Sequence, residues 1–151
     1  MPSSGKSTIG KILATKLEKD FYDSDDLITK RIDMPIRDFF RKYGEAEFRK
    51  IEKDVIAELS KGCGAVIATG GGVILDKDNI TALKGNGVLV FLDRPLEHLL
   101  PTSDRPLSSD FSALEALFSY RYPLYKSAAD IQIKSGSTPD ASVTEIMKEL
   151  F

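Results

Sequence analysis

Residues 5–19 read GKSTIGKILATKLEK, a glycine-lysine-serine-threonine run that passes directly into a helical pattern. Consecutive backbone N–H groups at such a turn, together with the N-terminus of the helix, point at a polyphosphate. The lysine of this pattern reaches the β- and γ-phosphates, and the hydroxyl residue after it ligates Mg²⁺. The run therefore predicts a nucleotide-dependent enzyme. Its nucleotide-binding residues are expected to be Ser4, Gly5, Lys6, Ser7 and Thr8.

The upstream half of the phosphate-binding motif is absent from the sequence. The full motif, G-x-x-x-x-G-K-[ST], has a further glycine five positions before Gly5, and a hydrophobic strand leads into the loop. The sequence has only Met-Pro-Ser-Ser before Gly5. We therefore expect the natural protein to begin several residues earlier, with an apolar strand and a glycine.

Composition and charge fit one α/β domain over residues 1–151. The chain is 42% hydrophobic and 29% charged, with a net charge of −2, so it can build a core and shows no basic surface for nucleic acid. The N-terminus does not resemble a signal peptide, and the apolar runs are too short to span a bilayer. We expect a cytoplasmic monomer with no nucleic-acid or membrane partner.

Helical and strand patterns alternate along the chain. Strand patterns cover residues 21–23, 65–69, 88–92 and 130–134. Helical patterns cover residues 8–18, 24–31, 45–61, 76–83, 113–122 and 140–150, and a further helix begins at Pro35. Apolar strands separated by helices predict a parallel sheet with helices on both faces, a three-layer α/β fold.

Polar residues and glycines follow the predicted strands, where parallel α/β folds bind their ligands. Asp23 and Asp25 can project to the same side, and could position Mg²⁺ through water, accept a proton from a hydroxyl or bind a polyol. Capping of the next helix, by Ser24 or by either aspartate, is the alternative. The run Gly70-Gly71-Gly72 favours a backbone pressed against a ligand over a simple turn.

Three arginines stand where a functional and a structural interpretation compete. Arg49 precedes Glu52 by three residues on the longest predicted helix, which by itself predicts a surface ion pair. Arg105 lies in a polar, proline-flanked stretch, residues 100–111, that suits either a lid over phosphates or a solvated loop. Arg121 lies in an aromatic run near a helix end, where core packing is the alternative.

The motifs together resemble those of the shikimate kinase family in order and spacing, from the first residues to the last helix. They are GKSTIG at 5–10, DSD at 23–25, GEAEFRKIE at 44–52, GGG at 70–72, RPL at 105–107 and RYPLY at 121–125. The resemblance implies a P-loop NTPase fold of the nucleoside-monophosphate-kinase type, with strand order 2-3-1-4-5. It also implies transfer of the ATP γ-phosphate to the 3-hydroxyl of shikimate, on the route to aromatic amino acids.

On the nucleotide side, the resemblance implies ATP and Mg²⁺ as ligands and assigns four roles. Lys6 would hold the transferring phosphate. Ser7 would ligate Mg²⁺, and Asp23 would reach the ion through water. Arg105 would arrive with the lid, bind the nucleotide and neutralise the charge that develops on the transferring group, which is what phosphoryl transfer requires.

On the acceptor side, the resemblance places shikimate in a region of about residues 25–61 and beside the glycine run. Asp25 would bind the attacking hydroxyl and act as its base. Arg49 and Arg121 would clamp the carboxylate, a task that suits the planar fork of guanidinium. Gly70, Gly71 and Gly72 would offer backbone groups to the substrate.

Two other functions stay open from the sequence. Another small-molecule kinase, such as a gluconate kinase, would share the fold and the phosphate loop, but need not combine Arg49, the triple glycine and Arg121. A non-catalytic binding or regulatory remnant is the second alternative, and the retained Lys6, Asp25 and Arg105 speak against it. On the adenine side, the arginine that the family has before the lid has no counterpart in this sequence. His98 either stacks on the adenine base or lies on the surface of a helix, and the pattern favours the surface position.

Overall fold

The computed structural model describes residues 4–99, 107 and 110–151. Its α-helices are α1 (Lys6–Lys16), α2 (Ser24–Ile32), α3 (Ile36–Tyr43), α4 (Glu45–Leu59), α5 (Lys77–Asn86), α6 (Phe111–Ala128) and α7 (Pro139–Leu150). Its strands are β1 (Asp20–Asp23), β2 (Ala65–Ala68), β3 (Val90–Asp93) and β4 (Ile131–Lys134), and short 3₁₀ turns follow β2 and β3. The predicted alternation of helices and strands is confirmed.

The strands of the described residues form two parallel pairs. In the first pair, Asp20 of β1 lies opposite Ala65 of β2, and in the second, Val90 of β3 lies opposite Ile131 of β4. A groove of about 350 Å³ is lined by β2, β3, α1 and the end of α7. This groove, which we call the inter-sheet groove, is bordered by β2 of the first pair and β3 of the second.

Three of the clusters of buried apolar side chains position the site, two by joining helices to strands and one by joining helices to one another. The first joins α1 and α7 to the strands and contains Ile9, Leu13, Leu92, Ile133, Val143 and Ile146. The second joins α6 to β3 and contains Phe91, Leu99, Leu114 and Tyr125. The third joins α2, α3 and α4 to one another and contains Ile28, Phe39, Phe48 and Val55. The third cluster makes a helical unit out of the predicted acceptor-binding region.

Helix α6 continues beyond its predicted end at residue 122 and contains Pro123 in its interior. A proline there removes one backbone hydrogen bond and normally stops a helix, so the sequence predicted an end that is wrong. The helix continues because the face that carries Leu114, Arg121 and Tyr125 is buried on both sides of the proline. Helix α5 likewise extends past its predicted end at Leu83, through Asn86.

In the described part of the chain, α6 is the longest helix, and no helix has the length and apolar character needed to cross a membrane.

Candidate active site

The phosphate-binding residues lie at the start of α1. Gly5 has a φ of +84°, in the left-handed region that glycine adopts without steric cost, and the helix begins at the next residue. The first turn of α1 carries no acidic residue, which suits the binding of an anion at a helix N-terminus. Lys6 Nζ lies 3.3 Å from Ser4 Oγ, and Ser4 is buried.

One cavity of about 470 Å³ contains every predicted site residue that the structure describes. From the phosphate loop and β1 these are Ser4, Gly5, Lys6, Ser7, Thr8, Asp23 and Asp25, and from the acceptor side they are Arg49, Gly70, Gly71, Gly72 and Arg121. Apolar side chains of α3, α4 and α6 complete the wall. The predicted catalytic Arg105 and most of the predicted lid lie outside the described residues.

Asp23 links the phosphate loop to the start of α2. Its Oδ2 accepts a hydrogen bond of 2.5 Å from Ser7 Oγ, and its Oδ1 accepts one of 3.0 Å from the Asp25 amide. Asp23 is therefore the N-cap of α2, one of the three capping residues that the sequence left open. The cap geometry leaves the Asp25 side chain on the first turn of α2, where it lines the cavity.

Ser7 and Asp23 have the chemistry of a magnesium site. A hydroxyl and a carboxylate are the hard oxygen donors that Mg²⁺ prefers, and this ion normally keeps several waters and phosphate oxygens beside one or two protein ligands. No cluster of three or more His, Cys, Asp or Glu side chains that could hold a metal occurs within the described ranges. The pair Ser7 and Asp23 thus fits an ion that is bound mainly by phosphate and water.

Arg49 is held by two carboxylates of its own helix. Its Nη1 donates to Glu52 Oε2 at 2.7 Å, and its Nη2 donates to Glu45 Oε1 at 2.9 Å. Burial lowers the pKa of Arg49, but the ion pairs with Glu52 and Glu45 outweigh burial and raise it. The predicted ion pair with Glu52 therefore exists, and the same arginine also lines the cavity.

Glu52 is a buried carboxylate that the sequence analysis assigned only to a surface pair. It is 1% exposed, and burial raises its pKa above the usual glutamate value, although the Arg49 charge opposes this shift. Asp25 raises the pKa of Glu52 further and Arg121 lowers it, so Glu52 lies among three predicted substrate-binding residues. The signal in the sequence was its position on the same helical face as Phe48 and Val55.

The glycine run touches a different site residue at each of its ends. A Cβ added at Gly70 would lie 2.6 Å from Asp25 Oδ1 and 3.2 Å from Glu52 Oε1. A Cβ added at Gly72 would overlap the Arg49 guanidinium. The run was predicted to let a backbone press against a ligand, and it also lets the backbone press against the side chains that line the cavity.

Arg121 approaches the same cavity from α6. It is 4% exposed, and its buried Nε has no hydrogen-bond partner among the described residues. One turn further on, Tyr125 Oη donates to the Gly71 carbonyl oxygen at 2.5 Å. Tyr125 and the buried Ser24, which accepts from the Gly70 amide at 2.8 Å, were not predicted as site residues.

The comparisons with known proteins identify the family. A family model described as shikimate kinase matches residues 2–151. The chain belongs to the shikimate kinase family. A curated shikimate kinase from Clostridium botulinum is 41% identical over 152 residues, which cover 98% of this chain and 92% of the relative. A second, from Hahella chejuensis, is 44% identical over 155 residues, which cover 97% of this chain and 81% of the relative.

A solved structure, the shikimate kinase from Acinetobacter baumannii in complex with shikimate, matches with a TM-score of 0.93 at 33% identity. The match covers 99% of this chain and 88% of that one. The shikimate kinase fold is a P-loop NTPase fold of the nucleoside-monophosphate-kinase type, as the sequence predicted. The predicted family, fold class and enzyme class, an ATP-dependent kinase with an alcohol as acceptor, are confirmed.

Proposed function

We propose that this chain uses the cavity between the phosphate loop and the glycine run to transfer the γ-phosphate of ATP to the 3-hydroxyl of shikimate. The products are shikimate 3-phosphate and ADP. The observation that carries the proposal is the common cavity, in which Lys6, Asp25, Arg49 and Arg121 line one space. Such a space would offer a phosphate site, a base and a carboxylate site to one small substrate.

The acceptor side supports a substrate with a carboxylate. Two guanidinium groups line the cavity there, and a guanidinium fork binds a carboxylate through two parallel hydrogen bonds. Arg121 has a buried Nε without a partner among the described residues, which is costly unless a ligand satisfies it. Arg49 is already oriented by Glu45 and Glu52, so binding requires little further ordering of this side chain.

The phosphate side supports in-line transfer to a hydroxyl. Asp25 lies on the first turn of α2 beside the phosphate loop, where its carboxylate would accept the proton of the attacking hydroxyl. Lys6 would hold the transferring phosphate, and Mg²⁺ held at Ser7 and Asp23 would supply positive charge to the phosphate oxygens. Positioning and charge stabilisation are the main contributions that a protein makes to phosphoryl transfer.

The proposal extends to the molecular setting. We expect the chain to act as a monomer in the cytoplasm, where ATP and Mg²⁺ are abundant. Gel filtration coupled to light scattering tests the first statement, since a mass near 16.7 kDa is expected. Fractionation of the source cells, with an antibody against the chain, tests the second.

The deciding experiment measures ADP release from Mg-ATP with shikimate, with gluconate and with no acceptor. We expect release that depends on shikimate, with the phosphate on the 3-hydroxyl by phosphorus NMR. Arg121→Lys keeps the charge but loses the fork, so its KM for shikimate should rise, while the exposed Arg41→Lys should leave it unchanged. Equal rates with gluconate would indicate a different kinase, and failure of the folded chain to bind Mg-ATP would indicate a remnant.

A further inference from the structure

Two neighbouring residues of the glycine run are each bound through a backbone group to a hydroxyl side chain from a different helix. The Gly70 amide donates to Ser24 Oγ at 2.8 Å, within the buried interior. The Gly71 carbonyl accepts from Tyr125 Oη at 2.5 Å. Ser24 comes from the start of α2 and Tyr125 from α6, so the two bonds join the run to the elements that carry Asp25 and Arg121.

Packing fixes the side chain of Tyr125, and this limits the groups that its hydroxyl can reach. Its ring stacks on Phe91 with centroids 5.1 Å apart and an angle of 13°, and the residue is 8% exposed. Burial raises the pKa of Tyr125, although the nearby Arg121 opposes this shift. The hydroxyl therefore keeps its proton and remains a donor to the Gly71 carbonyl at neutral pH.

The position of this hydroxyl connects the two arginines of the acceptor side. Arg121 precedes Tyr125 by one helical turn and lies close enough to interact with its hydroxyl. On the other side, Gly71 is followed by Gly72, against whose backbone the Arg49 guanidinium lies. A path of direct contacts thus runs from Arg121 through Tyr125 and the glycine run to Arg49.

We propose that Tyr125, with Ser24 as its counterpart at Gly70, is a positioning residue that sets the distance between the guanidinium groups of Arg49 and Arg121. Two forks bind one carboxylate well only when their separation matches it, since small misplacements weaken such contacts strongly. The inference rests on the proposed function, because it concerns how the acceptor carboxylate is bound. It assigns the tyrosine to substrate binding and not to phosphoryl transfer.

A role in core packing is the competing explanation, and Tyr125→Phe separates the two. The substitution removes one oxygen and keeps the ring that stacks on Phe91, so the fold is preserved. We expect the KM for shikimate to rise about three- to tenfold, the loss that one neutral hydrogen bond corresponds to. The kcat and the KM for ATP should change less than about twofold. Tyr120→Phe is the matched control, since Tyr120 lies on the same helix and is 66% exposed.

Amide hydrogen exchange gives a second readout that needs no substrate. Labelling with ¹⁵N-glycine makes the 11 glycines of the chain visible by NMR, and the Gly70 amide is protected by its bond to Ser24. If Tyr125 helps to fix the run, exchange at Gly70 becomes faster in Tyr125→Phe and faster still in Ser24→Ala. Tyr120→Phe should leave the exchange rate at the wild-type value.

The outcomes distinguish the inference from the proposed function. A wild-type chain that releases ADP with shikimate, and a Tyr125→Phe variant with unchanged KM for shikimate, would overturn the inference alone. Equal increases in the KM values for shikimate and ATP would also overturn it, because they indicate general damage. If the wild-type chain does not use shikimate, the proposed function fails, and unchanged exchange at Gly70 in Tyr125→Phe would show that the tyrosine does not fix the run either.

Discussion

The acceptor half of this molecule buries charged groups beside its apolar cluster, whereas the strand half leaves apolar surface open along a groove. The acceptor half consists of α2, α3, α4, residues 70–72 and the part of α6 near Arg121. It places charged groups inside, with Glu52 1% and Arg121 4% exposed. The strand half consists of the two strand pairs with α1 and α7, and there the apolar edges of β2 and β3 line the inter-sheet groove.

The physical consequences of these two arrangements differ. A buried charge is tolerated only when other groups pair with it, and in the acceptor half Arg49, Glu45 and Glu52 satisfy one another within one helix. An apolar side chain contributes only when it is covered, and in the strand half Val88 is 53% exposed. We therefore expect changes in the acceptor half to alter substrate binding, and changes in the strand half to alter stability.

The largest expected effect is the loss of the proposed base in the acceptor half. Asp25→Asn keeps the shape of the side chain but cannot accept a proton, so kcat should fall about 10²- to 10⁴-fold, the usual contribution of a general base. Asp26→Asn on the same helix is the control, because Asp26 is exposed and should keep wild-type kcat. Similar rates for both variants would contradict the assignment of Asp25.

The second effect concerns the strand half. We expect an apolar segment of about five residues, added at the N-terminus of the chain, to fill the inter-sheet groove as a parallel strand. Each buried aliphatic side chain gains about 1.5–3 kcal/mol, and fixing each residue costs about 1–2 kcal/mol. The expected net rise in the free energy of unfolding is roughly 2.5–5 kcal/mol, measured by urea denaturation.

A matched extension of glycine and serine of the same length is the control for this experiment. It adds the same chain length but no apolar side chains, so it should leave the urea midpoint near that of the starting chain. Equal stabilisation by both extensions would show that the groove does not select an apolar strand. A raised KM for shikimate in either extended chain would show that the two halves are not independent.

The fold was predictable from the sequence because its signals are local. Four apolar runs separated by amphipathic helices predicted the parallel α/β arrangement, and the phosphate loop predicted the start of α1. The end of α6 was not predictable, since Pro123 normally ends a helix and the burial of Arg121 before it and Tyr125 after it explains the continuation. Tertiary packing outweighed the local preference there.

The predicted site residues that the structure describes all line one cavity, but three of their partners were missed. Glu52 looked like half of an ordinary surface pair, because burial is a property of the fold and not of the i, i+3 spacing. Ser24 and Tyr125 act through hydrogen bonds to backbone groups distant in sequence, and such bonds leave no pattern in a sequence. The roles of the lid and of Arg105 stay predictions.

The third effect returns to the acceptor half and concerns a single methyl group. In Gly72→Ala the new Cβ would overlap the Arg49 guanidinium, while the backbone φ of −92° suits alanine. The arginine must therefore move, and we expect the KM for shikimate to rise roughly tenfold, as for misplacing a charge-assisted contact. Gly85→Ala is the control, because a Cβ there meets nothing within 4 Å.

These two alanine substitutions sharpen the contrast between binding and stability. Gly85 lies inside α5, where alanine stabilises a helix by up to about 1 kcal/mol relative to glycine. Gly85→Ala should raise the melting temperature without changing the KM for shikimate. Gly72→Ala should raise the KM for shikimate without raising the melting temperature. An unchanged KM in that variant would show that Arg49 adjusts without cost or does not bind the acceptor.

The smallest effect is a pH dependence that originates at Glu52. Burial raises the pKa of Glu52 in the folded protein, so between the usual glutamate pKa and the raised value the folded state binds more protons than the unfolded chain. Stability from this group therefore increases as pH falls through that window, with a slope of at most about 1.4 kcal/mol per pH unit.

The variant Glu52→Gln tests this pH dependence, because its residue 52 cannot titrate while all other carboxylates are the same in both proteins. The difference in unfolding free energy, wild type minus Glu52→Gln, should thus shift in favour of wild type on acidification below neutral pH. A difference that is constant with pH would mean that the Arg49 charge cancels the effect of burial at Glu52, and one that moves in favour of the variant would mean that the charge outweighs burial.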